Sequence, residues 1–295
     1  MSLTLAEIVL YPIKSLAGVS VAEAVLEAGG LRHDRRFMLV TPSANGHTGT
    51  FITQRTTPQM ALLSVAIDLI TNTLAVWHRH QPTDVLTMPL TPDPGPETLE
   101  VSIWDSDEVP AQAGFGEADA WFSRVLGQPC RLVYMPATTR RTITSGHTLE
   151  GDAAERVVSF ADGFPVLVAT QASLHELNRR IGAEPLSMAR FRPNVVVEGL
   201  CWPHDEDTWA QVRMGDAVFY GVKPCVRCVL TTLDPLTGER GKEPLKTLAT
   251  YRQHDHKLLF GENLMPDRTS LGQIIRVGDA VTVLVRKTPR LPVGV

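Results

Sequence analysis

The sequence predicts a β-rich, mixed α/β protein with two domains. At 295 residues the chain is longer than a typical single domain, and with 43% hydrophobic residues it can bury a full core. Strand-type segments follow one another at a spacing of about ten residues as far as Val101, which is typical of a barrel or sandwich. Helical periodicity begins near Gly114. We therefore expect one domain over residues 1–114 and a second over residues 115–295.

Composition argues against several functional classes. The formal net charge of −4 and the pI near 6.1 do not suit a general nucleic-acid-binding protein, which usually carries a basic face. The four cysteines are irregularly spaced and do not suggest a disulfide framework. The first residues lack the basic region of a signal peptide, and no apolar run reaches the roughly 18 residues that a membrane helix needs. We expect a cytoplasmic protein with no membrane segment and no nucleic-acid partner.

Hydrophobic alternation and turn residues predict short strands in the first half of the chain. The predicted strands cover residues 3–11, 19–27, 37–40 and 62–67. The first of them ends at Pro12, because proline has no N–H group to donate to a sheet. Residues 82–96 are polar and rich in proline, so we expect a surface loop there.

Helical periodicity appears in the second half. Residues 117–126 place four apolar side chains on one face, as in a helix that packs on a core. These side chains are Ala118, Trp121, Phe122 and Val125. A second helix is expected after Thr170 or Ser173, either of which can cap it, and a short third helix over residues 244–251. Further strands are expected at residues 130–134 and 166–169, and in a hairpin that turns at residues 214–216.

The most informative stretch is residues 221–238, which contains Cys225 and Cys228. Lys223 precedes this pair, and Arg227 lies within it. Positive charge stabilises a thiolate, which is the form of sulfur that a soft metal or an electrophile requires. The β-branched residues that follow, 229–233, predict a strand that leaves the site.

Four interpretations of this Cys-x-x-Cys pair compete. A structural zinc site normally has a second such pair or two well-spaced histidines, whereas His254 and His256 are too close together. A thioredoxin-like dithiol begins a helix, and here a β-branched stretch follows. Purely structural cysteines leave the flanking cations unexplained. The fourth interpretation is a single thiolate that acts as metal ligand or as nucleophile, and the pattern does not decide between these two roles.

Several motifs resemble one protein family, in that family's order. They are residues 223–235 (KPCVRCVLTTLDP), 191–194 (FRPN), 242–248 (KEPLKTL), 10–15 (LYPIKS) and 34–40 (DRRFMLV). The first three resemble the MOSC domain, named after the C-terminus of molybdenum cofactor sulfurase, and the last two resemble the β-barrel domain that precedes it. The pattern is similar in particular to the mitochondrial amidoxime-reducing component and its bacterial counterparts. The resemblance implies an N-terminal β-barrel-like domain followed by a MOSC β-barrel domain with peripheral helices.

The resemblance also implies a cofactor and the residues that bind it. In the family one cysteine binds the molybdenum of a molybdopterin cofactor, and the matching residue is Cys228, which we expect to be metal ligand and catalytic residue. Cys225 would lie outside the metal shell. The residues that match cofactor-binding positions are Lys14, Ser15, Arg35, Arg192, Asn194, Val226 and Arg227. Cations and side-chain amides suit an anionic, phosphate-bearing pterin. We expect both domains to contribute to one cleft.

Two positions depart from the family pattern. Val226 stands where relatives often have a small polar residue, so a hydroxyl contact to the cofactor would be absent. Residues 162–164 replace a serine-containing segment, so that contact would come from the backbone or not at all. Gln54 and Arg55 could contribute from the barrel side, although a surface charge is an equally good interpretation of the arginine.

The activity that the resemblance implies is reduction of N-hydroxylated compounds, such as amidoximes, hydroxylamines and N-hydroxy bases. The sequence has no G-x-G-x-x-G motif, no P-loop and no cysteine-rich segment after Val285. We therefore expect no bound dinucleotide, and electrons from a separate flavin or iron–sulfur protein. The alternative is a molybdenum-cofactor carrier or sulfur-transfer protein in which Cys228 holds a persulfide. His254 and His256 are candidates for a proton donor only in the weak sense that histidine titrates near neutral pH.

Overall fold

A computed structural model describes residues 2–44, 46–143 and 156–294. The strands are β1 (Leu3–Leu10), β2 (Val19–Val21), β3 (Glu23–Glu27), β4 (Gly30–Leu31), β5 (Phe37–Pro42), β6 (Thr48–Phe51), β7 (Leu63–Asp68), β8 (Thr73–His78), β9 (Gln81–Pro89), β10 (Thr98–Ile103), β11 (Ser106–Gln112), β12 (Arg131–Tyr134), β13 (Val166–Thr170), β14 (Val195–Glu198), β15 (Trp209–Met214), β16 (Ala217–Arg227), β17 (Gln253–His254), β18 (Lys257–Pro266), β19 (Ile274–Arg276) and β20 (Ala280–Arg286). The α-helices of these residues are α1 (Gly116–Leu126), α2 (Gln171–Ile181) and α3 (Leu245–Tyr251). This content confirms the predicted β-rich, mixed α/β class.

Seven strands close into the larger barrel. Their order is β13-β14-β1-β20-β15-β16-β18, and β18 pairs with β13 to complete the circle. Six of these strands come from the second half of the chain, but β1 is the first strand and pairs antiparallel with β14 and β20. Fully buried core side chains include Leu5, Ile8, Trp209 and Phe219. The N-terminal strand is therefore part of the C-terminal barrel.

A smaller barrel of five strands has the order β10-β11-β12-β5-β6 and closes where β6 pairs in parallel with β10. This barrel in turn takes a strand from later in the chain, because β12 follows α1 and pairs antiparallel with β5. The interior contains Val40, Leu99, Val101 and Val133. The division into residues 1–114 and 115–295 stays a prediction, and the strand pairing shows that the chain passes between the barrels more than once.

The strand β9 corrects our expectation of a surface loop for residues 82–89, whereas residues 90–96 lie outside the strands and helices, as expected. It forms the edge of a three-stranded sheet, β7-β8-β9, and Leu86 is buried opposite Val76 of β8. Pro82 and Pro89 lie on β9, where an edge strand tolerates proline because not every N–H group needs a partner in the sheet. The first two prolines of this stretch therefore lie on an edge strand, and the other three lie in the segment that follows it.

The predicted helices are confirmed. α1 buries Ala118, Trp121 and Phe122. Thr170 caps α2, since its hydroxyl oxygen accepts a hydrogen bond from the Ser173 backbone N–H. The predicted hairpin is formed by β15 and β16. None of the helices in the described part of the chain has the length and apolar character that a membrane crossing requires.

Gly221 of β16 lies directly against the backbone of Trp209 in β15. A Cβ atom at this position would lie 1.8 Å from the Trp209 carbonyl oxygen, a backbone atom that cannot rotate away. Gly221→Ala should therefore lower the free energy of unfolding by about 3 kcal/mol, as overpacking at a rigid contact does. Urea denaturation followed by circular dichroism measures this change. Gly116→Ala is the control, because no atom lies within 4 Å of its Cβ position. Equal stability of the two variants would contradict the close contact.

Candidate functional site

All eight residues that the family resemblance singled out line one cavity between the two barrels. They are Lys14, Ser15, Arg35, Arg192, Asn194, Val226, Arg227 and Cys228. Three further residues of the cavity wall are Arg55, Trp104 and Asp162. The larger barrel contributes the segments that follow β1, precede β14 and end β16, while Arg55 and Trp104 follow β6 and β10 of the smaller barrel. Strand exchange thus brings motifs from both ends of the chain to one site.

Three cavity residues have a left-handed backbone conformation, which is uncommon for residues other than glycine. Their φ angles are 69° at Ser15, 49° at Arg35 and 55° at Arg192. Hydrogen bonds hold two of these turns: Arg35 N donates to Tyr11 O over 2.8 Å, and Arg192 N donates to Ala189 O over 3.3 Å. Backbone strain of this kind concentrates at functional sites, where the surrounding structure imposes it.

The ring of Tyr11 separates two guanidinium groups. Arg35 Cζ lies 4.3 Å from the ring centre and Arg192 Cζ lies 4.2 Å from it. Tyr11 Oη donates to the Pro193 carbonyl over 3.1 Å, which fixes the ring. The π face attracts both cations and so holds two like charges near each other. Desolvation lowers the pKa of Arg192 to about 10, which leaves it a cation at neutral pH.

Asn194 acts on the cavity through Arg35. Its Oδ1 accepts a hydrogen bond from Arg35 Nη1 over 2.9 Å, and its Nδ2 donates to the Val9 carbonyl over 3.2 Å. The residue is only 2% exposed, so its amide has little surface left for a ligand. Gln54 has a similar role for Ser15, because Gln54 Nε2 donates to the Ser15 carbonyl over 2.7 Å. These two amides therefore hold the wall of the cavity in place.

The segment after Cys228 is a short 3-10 helix, Val229–Thr232, so our expectation of a strand over residues 229–233 is wrong. Thr231 Oγ1 donates to the Cys228 carbonyl over 2.9 Å, and Thr232 Oγ1 donates to the Val229 carbonyl over 2.8 Å. Hydroxyl groups that bond to the nearby backbone favour turns, and this local effect outweighs the β propensity. The strand β16 instead leads into the site, with Cys228 just after its end.

Each thiol of the Cys-x-x-Cys pair contacts its own arginine. Arg55 Nη2 donates to Cys228 Sγ over 3.2 Å, and Arg227 Nη1 donates to Cys225 Sγ over 2.8 Å. Arg55 extends from the smaller barrel, so the Cys228 sulfur lies where the two barrels meet. Sequence reasoning left Arg55 undecided, because nothing local distinguishes it from a surface arginine.

Asp162 places a carboxylate among the cations. It forms ion pairs with Lys14 and, at 3.6 Å, with Arg55, and it accepts a hydrogen bond from Trp104 Nε1 over 3.1 Å. Burial alone would raise the pKa of Asp162, but Lys14, Trp104 and Arg55 together hold it well below its usual range. The Asp162 side chain therefore belongs to the cavity wall, while the expected contact between the backbone of residues 162–164 and a cofactor stays a prediction. No motif marks Trp104 in the sequence.

The donor set fits an anionic ligand that also requires a soft sulfur. The described residues of the cavity wall include five cations and one carboxylate. The cations are Lys14, Arg35, Arg55, Arg192 and Arg227. The Nε atoms of Arg55 and Arg227 are buried and have no hydrogen-bond partner among the residues that the structure describes. Buried donors are normally satisfied, which favours a ligand rich in acceptors. A phosphate-bearing pterin whose metal takes sulfur ligands matches these groups, with Cys228 as the protein sulfur.

Two domain families match the chain and cover most of it. The MOSC N-terminal beta barrel domain matches residues 2–129, and the MOSC domain matches residues 155–282. The chain belongs to the family of proteins in which these two domains are joined. The fold agrees with this family, since it contains a closed five-strand barrel and a closed seven-strand barrel.

Several named proteins are similar to this chain along nearly its whole length. Mitochondrial amidoxime-reducing component 1 of Homo sapiens is 34% identical over 95% of this chain and 83% of its own length. Molybdenum cofactor sulfurase of Oryza sativa subsp. japonica is 30% identical over 94% of this chain, which spans 35% of that protein. The YUAD protein of Bacillus subtilis superimposes with a TM-score of 0.40 and 9% identity over 95% of this chain and 94% of that one. The first two relatives point to a molybdenum-cofactor-related function.

The cavity should bind a small anion even without a cofactor. Inorganic pyrophosphate is a suitable probe, and titration calorimetry of the apoprotein at low salt measures its affinity. Arg192→Gln should weaken binding about tenfold, because a hydrogen bond to a charged group contributes on the order of 1.5–3 kcal/mol. Arg179→Gln is the control, since Arg179 is exposed on α2 and pairs with Glu176. Equal affinities of the two variants would show that the anion binds outside the cavity.

Proposed function

We propose that this protein is a molybdenum-cofactor-dependent reductase of N-hydroxylated compounds, including amidoximes, hydroxylamines and N-hydroxy bases. The observation that carries the proposal is the position of Cys228, whose sulfur accepts a hydrogen bond from Arg55 of the other barrel inside a cavity lined with cations. A single thiol in such surroundings suits a metal whose other ligands come from an anionic cofactor. Similarity to an amidoxime-reducing component over 95% of the chain supports the class of reaction.

The metal side of the site consists of Cys228, Arg55 and Asp162. Cys228 would bind molybdenum through its sulfur. Arg55 would orient that sulfur by the hydrogen bond already present, and Asp162 would keep Arg55 in place through their ion pair. When bound, the cofactor supplies a two-electron centre for cleavage of the N–O bond. The chain itself contributes orientation and charge.

The anionic part of the cofactor would be held by the cations of the cavity. Arg35 and Arg192 are already fixed on the two contacts to Tyr11, so they present their charges without rearrangement. The remaining contacts would come from Lys14, Ser15, Arg227, the Val226 backbone and, through Arg35, Asn194.

Electrons and protons must come from outside the described site. Reduction of an N–OH group takes up two electrons and two protons and releases water. We propose that a separate flavin or iron–sulfur protein supplies the electrons, because the sequence has no dinucleotide or cluster motif. His254 and His256, the weak candidates for a proton donor, do not line the cavity. We further propose a reducing compartment such as the cytoplasm, since all four cysteines are free thiols.

A second candidate is a cofactor carrier or sulfur-transfer protein in which Cys228 holds a persulfide. Similarity to a molybdenum cofactor sulfurase favours it, although the chain spans only 35% of that protein. Both candidates assign the chemistry to the same thiol. Catalytic turnover by molybdenum-loaded protein distinguishes them.

Only one cysteine of the pair should hold the metal. After expression in a host that makes the cofactor, Cys228→Ser should lose most of its molybdenum, because a hydroxyl group is a poor substitute for a thiolate at a soft site. Cys225→Ser should retain it, since Cys225 contacts Arg227 and lies within β16. Mass spectrometry of the metal content per polypeptide measures both. The reverse result would exchange the roles of the two thiols.

Reduction of benzamidoxime should need a separate electron donor. Wild-type protein should be inactive with NADH alone, and active with a reduced viologen dye or with a ferredoxin and its reductase. Product formation is followed by chromatography, and 6-hydroxylaminopurine serves as a second substrate. Turnover with NADH alone would reveal a nucleotide site in this chain. Failure with the dye, in protein loaded with molybdenum, would contradict the reductase and favour the carrier.

A further inference from the structure

Three cations gather on the surface beside the cavity. Lys223 of β16, Lys257 at the start of β18 and Arg290 near the C-terminus line one depression, and we call them the cationic cluster. In the part of the chain that the structure describes, no carboxylate forms an ion pair with any of them. The one carboxylate of the depression, Asp255, instead contacts His254, with 3.3 Å between Oδ2 and Nε2. The depression therefore carries a net positive charge.

The cationic cluster adjoins the candidate site. Val226 lines both the depression and the main cavity. It precedes Cys228 by two residues, so their Cα atoms are at most about 7 Å apart. Lys223 Nζ lies 4.9 Å from the centre of the Phe164 ring, which also lines the main cavity. A molecule bound to the cluster would therefore rest at the edge of the cavity, close to the expected metal ligand.

A tight turn fixes the backbone position of one member of the cluster, Lys257. Lys257 follows a two-residue turn between β17 and β18, and the turn residues Asp255 and His256 have φ angles of 47° and 61°. Two left-handed residues are typical of the tight hairpin turn that matches strand twist. After burial, the charges of Lys257 and Arg290 are the main influences that lower the pKa of Lys223, which agrees with the close approach of the three groups.

The cationic cluster is positively charged, whereas the net charge of the protein is negative. The chain has a net charge of −4, so an acidic protein is repelled by the molecule as a whole and attracted only where cations gather. Such a field orients a partner as well as binding it. Val226 lines the depression and is 47% exposed, and Val229, which directly follows Cys228, is 42% exposed, so both provide apolar surface near the expected metal ligand. An apolar centre with a charged rim is the usual composition of a transient interface.

We propose that the cationic cluster, together with Val226 and Val229, is the docking surface for an acidic electron-donor protein. This inference rests on the proposed function, which requires such a donor. It assigns the face of the molecule on which the donor binds and the sign of the charge that the donor must carry. As in other electron-transfer pairs, the contact should be small, weak and sensitive to salt.

The test compares two double variants with the same change of charge. K257E/R290E reverses two members of the cluster and leaves Lys223, which flanks the Cys-x-x-Cys pair, unchanged. R213E/R276E reverses two exposed cations on β15 and β19, neither of which lines the cavity or the depression. An acidic [2Fe–2S] ferredoxin with its reductase is the protein donor, a reduced viologen is the small donor, and benzamidoxime is the substrate. Both variants are used as molybdenum-loaded protein.

The cluster variant should show a kcat/KM for ferredoxin at least tenfold below that of the control variant at low salt, and an unchanged rate with the viologen. The difference should shrink as salt is added, because screening removes the attraction. Equal kcat/KM values in the two variants, with normal viologen rates, would overturn the docking surface and leave the reductase intact. If the molybdenum-loaded wild-type protein showed no activity with the viologen, this result would instead contradict the proposed function.

A binding measurement decides the inference independently of turnover. Titration calorimetry with oxidised ferredoxin should show weak, salt-sensitive binding to the wild type and to the control variant, and a loss of at least tenfold in the cluster variant. Equal affinity of the two variants would overturn the proposal. A fluorescent single-stranded DNA is titrated in parallel. If the cluster variant lost affinity for the DNA but bound ferredoxin normally, the cluster would be a nucleic-acid site and the proposal would be wrong.

Discussion

The pairing of β1 with β14 and β20 is the constraint on which the site depends. Because β1 is held on both of its edges within the larger barrel, the chain that follows it leaves from a fixed point. Ile13 then bridges to Phe37 of the smaller barrel, so a few residues at the cavity connect the two halves. Without this exchange of a strand, Lys14 and Cys228 would have no structural reason to share a cavity.

Sequence patterns predicted the elements whose stability comes from a regular apolar face. α1 is such an element, because its buried side chains recur at the helical period and one core receives them. Two predictions failed where local or edge effects dominate. The hydroxyl groups of Thr231 and Thr232 bond to the backbone and turn a β-branched segment into a 3-10 helix. The prolines of β9 indicated a loop, but they occupy the edge of a sheet, which no short window of sequence reveals.

The site divides in a similar way between what motifs show and what only folding brings together. Cys228 and the cations of the family motifs could be identified because they lie in recognisable local sequence. Arg55 could not be assigned, since its partner Cys228 is 173 residues away. The side chain of Asp162 was also overlooked, because it becomes significant only beside Lys14, 148 residues away. Charge pairs between residues that are far apart in the sequence depend on the topology of the whole chain, so the local sequence pattern does not indicate them.

The left-handed residues of the cavity have a consequence for how a ligand associates with it. A residue in that region has a narrow range of backbone angles, so Arg35 and Arg192 lose most of their main-chain freedom when the protein folds. Little entropy then remains to be lost when an anion arrives. The contacts of both guanidinium groups with the Tyr11 ring act in the same direction, because an anion then meets two cations that already share one support.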